Sequence, residues 1–159
     1  MARKIRLLFV DDEVDFTTYM KKRLQKRDME VDSFTDPLKA LQETLGRKYD
    51  VALLDLKMPG IDGEELLRRL KERDSKLQII ILTGHGTVQS AASASRSGAT
   101  EYLLKPCEFD DLVRAITNAY SKGVAARRQD KQSELEKLMA NAVGLSPLEL
   151  LERIRKLDE

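Results

Sequence analysis

The chain of 159 residues has one cysteine, Cys107, so no internal disulfide can form and the fold must rest on its packed core. Neither sign of charge dominates: 28 basic and 27 acidic residues leave a net charge of +1. That balance gives no electrostatic footing for nucleic acid or an anionic membrane as the main partner. Long apolar runs are missing too, and none approaches the ~20 residues that span a bilayer. Met1-Ala-Arg-Lys leads into an apolar run of only about six residues that ends in charge, so no signal peptide is expected. Repeats and low-complexity segments are absent, and His85 is the one histidine. Together these absences point to a reducing, cytoplasmic setting.

What remains is an ordinary core former with an unusually charged surface, 42% hydrophobic and 35% charged. Its length allows one domain and a small appendage. Short apolar segments alternate with amphipathic ones. Strands are expected at about 5–10, 29–34, 51–55, 78–82 and 101–104, and helices at about 14–27, 36–46, 62–73, 87–97 and 108–121. Regular βαβ alternation with short connections predicts a parallel sheet covered on both faces, an α/β fold. The second strand, Met29-Glu30-Val31-Asp32-Ser33-Phe34, alternates in polarity and is expected at an edge. The fourth helix, Thr87 to Ser97, has Val88 as its only large aliphatic residue, so apolar burial should hold it weakly.

Polar residues stand where the apolar runs stop. Asp11 and Asp12 follow Leu7-Leu8-Phe9-Val10, Asp55 follows Val51-Ala52-Leu53-Leu54, Thr83 follows Ile79-Ile80-Ile81-Leu82, and Lys105-Pro106 follows Tyr102-Leu103-Leu104. In an open α/β sheet the carboxyl ends of the strands are where ligands bind. Adjacent carboxylates repel unless a cation lies among them, and hard oxygen donors suit Mg²⁺. Asp55 is the candidate nucleophile for a phosphoryl group, and Lys105 and Thr83 can meet its oxygens. Taken singly, each residue has a plainer explanation: a cap or loop acid, a strand-ending threonine, a half-buried tyrosine, a surface lysine. His85 reads as a loop histidine, and Cys107 as a small loop or core residue with nothing nearby to depress its pKa.

In order and placement these residues, with Asp55-Leu-Lys-Met-Pro-Gly-Ile-Asp-Gly63, resemble the receiver domains of two-component response regulators. The resemblance runs from about residue 5 to residue 121. It implies a flavodoxin-like, doubly wound five-stranded sheet of order 2-1-3-4-5. It implies that Asp55 is the phosphoacceptor, that Asp12 and Asp55 bind Mg²⁺ directly, that Asp11 acts partly through water, and that the carbonyl of Lys57 completes the set. It implies a cis Lys105–Pro106 bond, a switch in which Thr83 and Tyr102 move together, and tuning of hydrolysis from positions 57 and 85. The phosphodonor would be a histidine kinase or a histidine phosphotransfer protein. The chain would catalyse only its own phosphorylation and dephosphorylation. Two other classes fit less well. A phosphatase of the haloacid-dehalogenase type would want an aspartate where Lys57 stands, and a flavodoxin-like binding module would not place Asp11-Asp12-Glu13 where a phosphate-cradling loop belongs.

The receiver is expected over residues 1–122 and a helical extension, two helices joined by a short turn, over 123–159. Gly123 either ends the fifth helix or interrupts a longer one. Leu135, Leu138, Met139, Ala142 and Val143 share a helical spacing, Gly144 stops that helix, and Ser146-Pro147-Leu148-Glu149 has a capping-box pattern. The 37 residues after Lys122 hold seven basic and seven acidic residues, too short and too neutral for a DNA-reading module. A receiver-only regulator whose extension binds a protein partner or a second copy is the expectation. Similarity of 88–121 to receivers of the σ54-activator kind leaves open a relative or fragment of such a regulator.

Overall fold

Alternation along the strands sorts the apolar residues onto two faces. The computed structural model describes residues 3–158. Its elements run β1 (Ile5–Val10), α1 (Val14–Gln25), β2 (Met29–Phe34), α2 (Pro37–Glu43), β3 (Val51–Leu54), α3 (Gly63–Arg73), β4 (Gln78–Thr83), α4 (Val88–Arg96), β5 (Glu101–Leu104), α5 (Phe109–Ala140) and α6 (Pro147–Lys156). All five strands are parallel, in the order β2-β1-β3-β4-β5. Successive side chains of a strand point to opposite faces. Leu8, Val10, Ala52, Leu54, Ile79 and Ile81 therefore pack with Leu66, Leu67 and Leu70 of α3 and Ala94 of α4. Leu7, Phe9, Val51, Leu53, Ile80 and Leu82 pack with Met20 and Leu24 of α1 and Leu112, Ile116 and Ala119 of α5. The expected doubly wound sheet of order 2-1-3-4-5 is present, with β2 at one edge.

Local chemistry sets the helix starts. Asp36 accepts from the Leu38 amide and Pro37 fills the first turn of α2. Asp62 accepts from the Glu65 amide at the start of α3. At α4, Thr87 and Ser90 form a reciprocal capping box that the sequence reading did not anticipate. Among α4 residues only Ala94 is buried, and Val88 is 88% exposed, in line with the weak apolar hold expected there.

The fifth helix departs from the expected end near residue 121. It passes through Gly123 and continues to Ala140. Residues 124–140 are rich in Ala, Arg, Gln, Glu, Lys and Leu, all good helix formers, which outweigh one glycine. Backbone contacts divide the chain at this glycine, into 1–123 and 124–159. In the second unit Gly144 takes φ +90°, and Ser146 and Glu149 close a capping box at the start of α6. No described residue of 124–158 is buried. Leu135, Met139, Val143, Leu148 and Leu151 are exposed.

Candidate functional site

Register brings the acids together. Val10 of β1 pairs with Leu54 of β3, so the next residues, Asp11 and Asp55, leave neighbouring strands side by side. Backbone bonds hold both: the Asp55 amide donates to the Val10 carbonyl at 3.0 Å, and the Asp11 amide donates to the Phe34 carbonyl at 3.1 Å. Oxygens of Asp11, Asp12 and Asp55 all lie within 4.8 Å of one another. Asp11 and Asp55 are buried and Asp12 is half-buried.

Lys105, from the loop after β5, reaches into this cluster. Its Nζ donates to Asp11 Oδ2 at 2.7 Å and stands 3.5 Å from Glu13 Oε1 and 3.7 Å from Asp55 Oδ2. The ammonium also lies 4.3 Å from the centre of the Phe16 ring. The Glu13 amide donates to Asp11 Oδ1 at 2.9 Å, and the Thr17 hydroxyl donates to the Asp11 carbonyl at 3.0 Å. The Lys105–Pro106 peptide is cis.

Two titrations respond to this crowding. Burial raises the Asp11 pKa above its ordinary value, and the Asp55 charge adds to this, against the bond and charge of Lys105. Burial works to lower the Lys105 pKa, but the bond to Asp11 and the charges of Asp11, Asp55 and Glu13 outweigh it and raise it. The lysine therefore stays cationic at neutral pH. Among the described residues, one buried side-chain oxygen has no hydrogen-bond partner, Asp55 Oδ1. Leaving a buried polar oxygen unsatisfied costs roughly 1–3 kcal/mol, and more when the group is charged. Three acids facing one lysine, with one oxygen orphaned, are an oxygen-donor set with a deficit of positive charge. That set fits a hard divalent cation.

The remaining sequence candidates take these positions. Thr83 ends β4 and is fully buried; its Oγ1 accepts from the His85 amide at 3.2 Å. Tyr102 of β5 is half-buried, and its hydroxyl meets Ser90 Oγ of α4 at 2.7 Å. Lys57 lies two residues beyond Asp55 with an exposed side chain, and His85 is exposed. Cys107 is half-buried; burial first, then Asp111, Glu108 and Glu101, raises its thiol pKa. The unreactive reading of this cysteine agrees with that direction.

The sequence reading missed Gly63 as a site residue. Its amide donates to the Leu56 carbonyl at 2.8 Å. A Cβ built there would fall 2.1 Å from the Asp55 carbonyl oxygen and 2.7 Å from Leu56 Cα. Only glycine lets α3 begin this close to the strand end that carries Asp55. Glu13 and Phe16 were also missed. The run Asp11-Asp12-Glu13 held the first signal, whereas Phe16 gives none without the fold.

Comparison with known proteins gives a consistent pattern. The family model described as the response regulator receiver domain matches residues 7–117. The transcriptional regulatory protein FixJ of Bradyrhizobium diazoefficiens is 32% identical over 149 residues, which is 94% of this chain and 72% of FixJ. The DNA-binding transcriptional regulator NtrC of Escherichia coli is 30% identical over 138 residues, 87% of this chain but only 29% of NtrC. The crystal structure of a response regulator receiver domain protein from Clostridium thermocellum superposes with a TM-score of 0.73 at 33% identity, covering 77% of this chain and 98% of that one. Among the described residues no helix is long and apolar enough to cross a membrane.

Proposed function

The chain belongs to the response regulator receiver domain family, and on that premise we propose that it is a signalling switch that takes a phosphoryl group onto Asp55 from a histidine kinase or a histidine phosphotransfer protein. The observation that carries this reading is Asp55 Oδ1, a buried carboxylate oxygen without a partner beside two further acids and a cationic lysine. Such an oxygen is poorly solvated and free to attack.

Asp12 and Asp55 would hold Mg²⁺ directly, with Asp11 acting partly through water and the Lys57 carbonyl as a further donor. The ion when bound supplies charge neutralisation between the carboxylates and the incoming phosphoryl oxygens. The rest of the work falls to the chain. Asp55 is held by the hydrogen bond its amide donates to the Val10 carbonyl, which helps fix the line of attack. Its oxygen forms the new P–O bond while the P–N bond to the donor imidazole breaks. The imidazole leaves with that electron pair, and its protonation comes from solvent. Lys105, kept cationic by its acids, pairs with a phosphoryl oxygen. The Thr83 hydroxyl donates to another, which draws the loop after β4 inward and lets Tyr102 follow. Phosphorylation would thus bias an existing equilibrium between two arrangements of one surface. The chain turns over no separate substrate in this account.

Residues 1–122 form the phosphoacceptor domain in this reading, and 123–159 form the helical extension that binds a protein partner or a second copy. FixJ and NtrC are named as transcription regulators, and the chain spans 72% of the first and 29% of the second. The test is intact mass spectrometry after incubation with acetyl phosphate and Mg²⁺. One added phosphoryl group is expected in the natural sequence and none in Asp55→Asn. A normal phosphorylated fraction in Asp55→Asn would overturn the assignment.

A further inference from the structure

The hydroxyl of Ser90 has more neighbours than it can serve. It accepts from the Thr87 amide at 2.9 Å, donates to the Thr87 carbonyl at 3.0 Å, and has the Thr87 hydroxyl at 3.1 Å and the Tyr102 hydroxyl at 2.7 Å. A serine hydroxyl offers one proton and two lone pairs. With its proton on the Thr87 carbonyl and one lone pair on the Thr87 amide, one lone pair is left. The Thr87 and Tyr102 hydroxyls compete for it, and the shorter contact belongs to Tyr102.

This single atom therefore joins two elements. On one side it is half of the box that starts α4. On the other it receives the end of the only tyrosine on β5. Apolar packing holds α4 little, since its one buried residue is Ala94; its other side-chain tie is the Ser93 hydroxyl, which donates to Glu64 of α3 well away from the cap. The space for the tyrosine hydroxyl is provided by Gly86: a Cβ there would fall 3.0 Å from it and 2.1 Å from Leu104 Cδ2. Competition also makes release cheap. When Tyr102 leaves, the Thr87 hydroxyl can take the vacated lone pair, so Ser90 is not orphaned and the box survives in a looser form.

We infer that Ser90 is a latch that pins Tyr102 to the N-terminal cap of α4 in the resting protein, so that the ring position and the order of this helix change together. The bond to Ser90 is a contact made in one state and absent from the other, which is what lets it bias the equilibrium. The inference rests on the phosphoacceptor reading only for what releases the latch. The latch itself is a property of the unmodified chain.

The test uses the full chain with no phosphodonor. Hydrogen exchange of the amides of 88–92 is measured in the natural sequence, Ser90→Ala, Tyr102→Phe and the double variant. Ser90→Ala is expected to speed exchange about 5-fold through loss of the cap and the latch. Tyr102→Phe, which keeps every atom of the capping box, is expected to speed it about 2- to 3-fold. The double variant should match Ser90→Ala, because both changes remove one bond, and Ser90→Thr should restore slow exchange. Exchange in Tyr102→Phe equal to that of the natural sequence, or effects that multiply in the double variant, would overturn the latch. A beryllofluoride titration with Mg²⁺ then separates the two readings. Half-conversion at about 5-fold less beryllofluoride in Ser90→Ala is expected. Failure of every variant to bind it would count against Asp55 as phosphoacceptor, while the exchange data would still decide the latch.

Discussion

Substituting Gly63 by alanine should damage the fold and the site at one stroke. The added Cβ would sit 2.1 Å from the Asp55 carbonyl oxygen, 2.7 Å from Leu56 Cα and 2.9 Å from the Asp55 carbonyl carbon. All three are backbone atoms of the segment that ends β3, so no side chain can swing aside. Either α3 backs away and gives up the Gly63–Leu56 bond, or the strand end bends. Overpacking of this kind costs typically 1–3 kcal/mol, and a contact with backbone belongs at the upper end, about 3 kcal/mol. For a chain of this size each kcal/mol moves Tm by about 2–4 °C, which predicts a fall of about 6–12 °C. The control is Gly84→Ala, where the nearest atom is Lys105 Cβ at 4.0 Å, and its Tm should change by no more than about 2 °C. Thermal melts followed by circular dichroism give the comparison. Because Asp55 is carried on the strained segment, the folded fraction of Gly63→Ala should also phosphorylate at least ~10-fold more slowly, since a displacement of about an ångström is costly to an aligned attack. A Gly63→Ala protein that melts within about 2 °C of the natural sequence would refute this account of the β3–α3 junction.

Three further outcomes are expected. Asp12→Ala should need on the order of 10-fold more Mg²⁺ for half-maximal phosphorylation, because one inner carboxylate is lost; an unchanged Mg²⁺ titration would move the metal site elsewhere. The Tyr49 hydroxyl donates to Asp32 at 2.7 Å, and burial, then this bond and the Asp32 charge, push its pKa up to about 12 from 10.0. The unfolded chain releases that proton first, so stability should fall as pH rises from 10 to 12, by roughly 1–2 kcal/mol after allowing for the exposed side of Asp32; urea melts should lose this portion of the decline in Tyr49→Phe, and an identical pH slope in both proteins would contradict it. Removing 124–159 should abolish any self-association seen on adding beryllofluoride and Mg²⁺ in analytical ultracentrifugation, because Leu135, Met139, Leu148 and Leu151 leave with it; four identical monomer profiles, with and without the extension and the mimic, would exclude a second copy as the partner.

Much of the architecture is legible in the sequence because the signals there are local. Continuous apolar runs such as Ile79–Leu82 mark buried parallel strands, and the alternation of Met29–Phe34 marks the edge strand. The capping box at Ser146 lies within four residues and could be read directly. Gly123 was ambiguous because its helix propensity competes with the strong formers that follow, and those formers won. The acids and the lysine could be placed at one sheet edge from their order alone. Gly63 lay within the run that follows Asp55, but the approaches of Lys105 to Phe16 and of Tyr102 to Ser90 are contacts between separate elements. Nothing along the chain encodes such contacts until the strands are in register.

The central claim is that Asp55, the buried carboxylate beside Asp11, Asp12 and Lys105, is the residue that becomes phosphorylated. The most direct measurement is chemical trapping of the site. After incubation with acetyl phosphate and Mg²⁺, borohydride reduces an acyl phosphate and converts the aspartate that carried it to homoserine, and tandem mass spectrometry of the digest locates that change. The account predicts homoserine at position 55 and nowhere else, dependent on both acetyl phosphate and Mg²⁺. Homoserine at position 11 or 12, or conversion at 55 that proceeds equally without Mg²⁺, would contradict it.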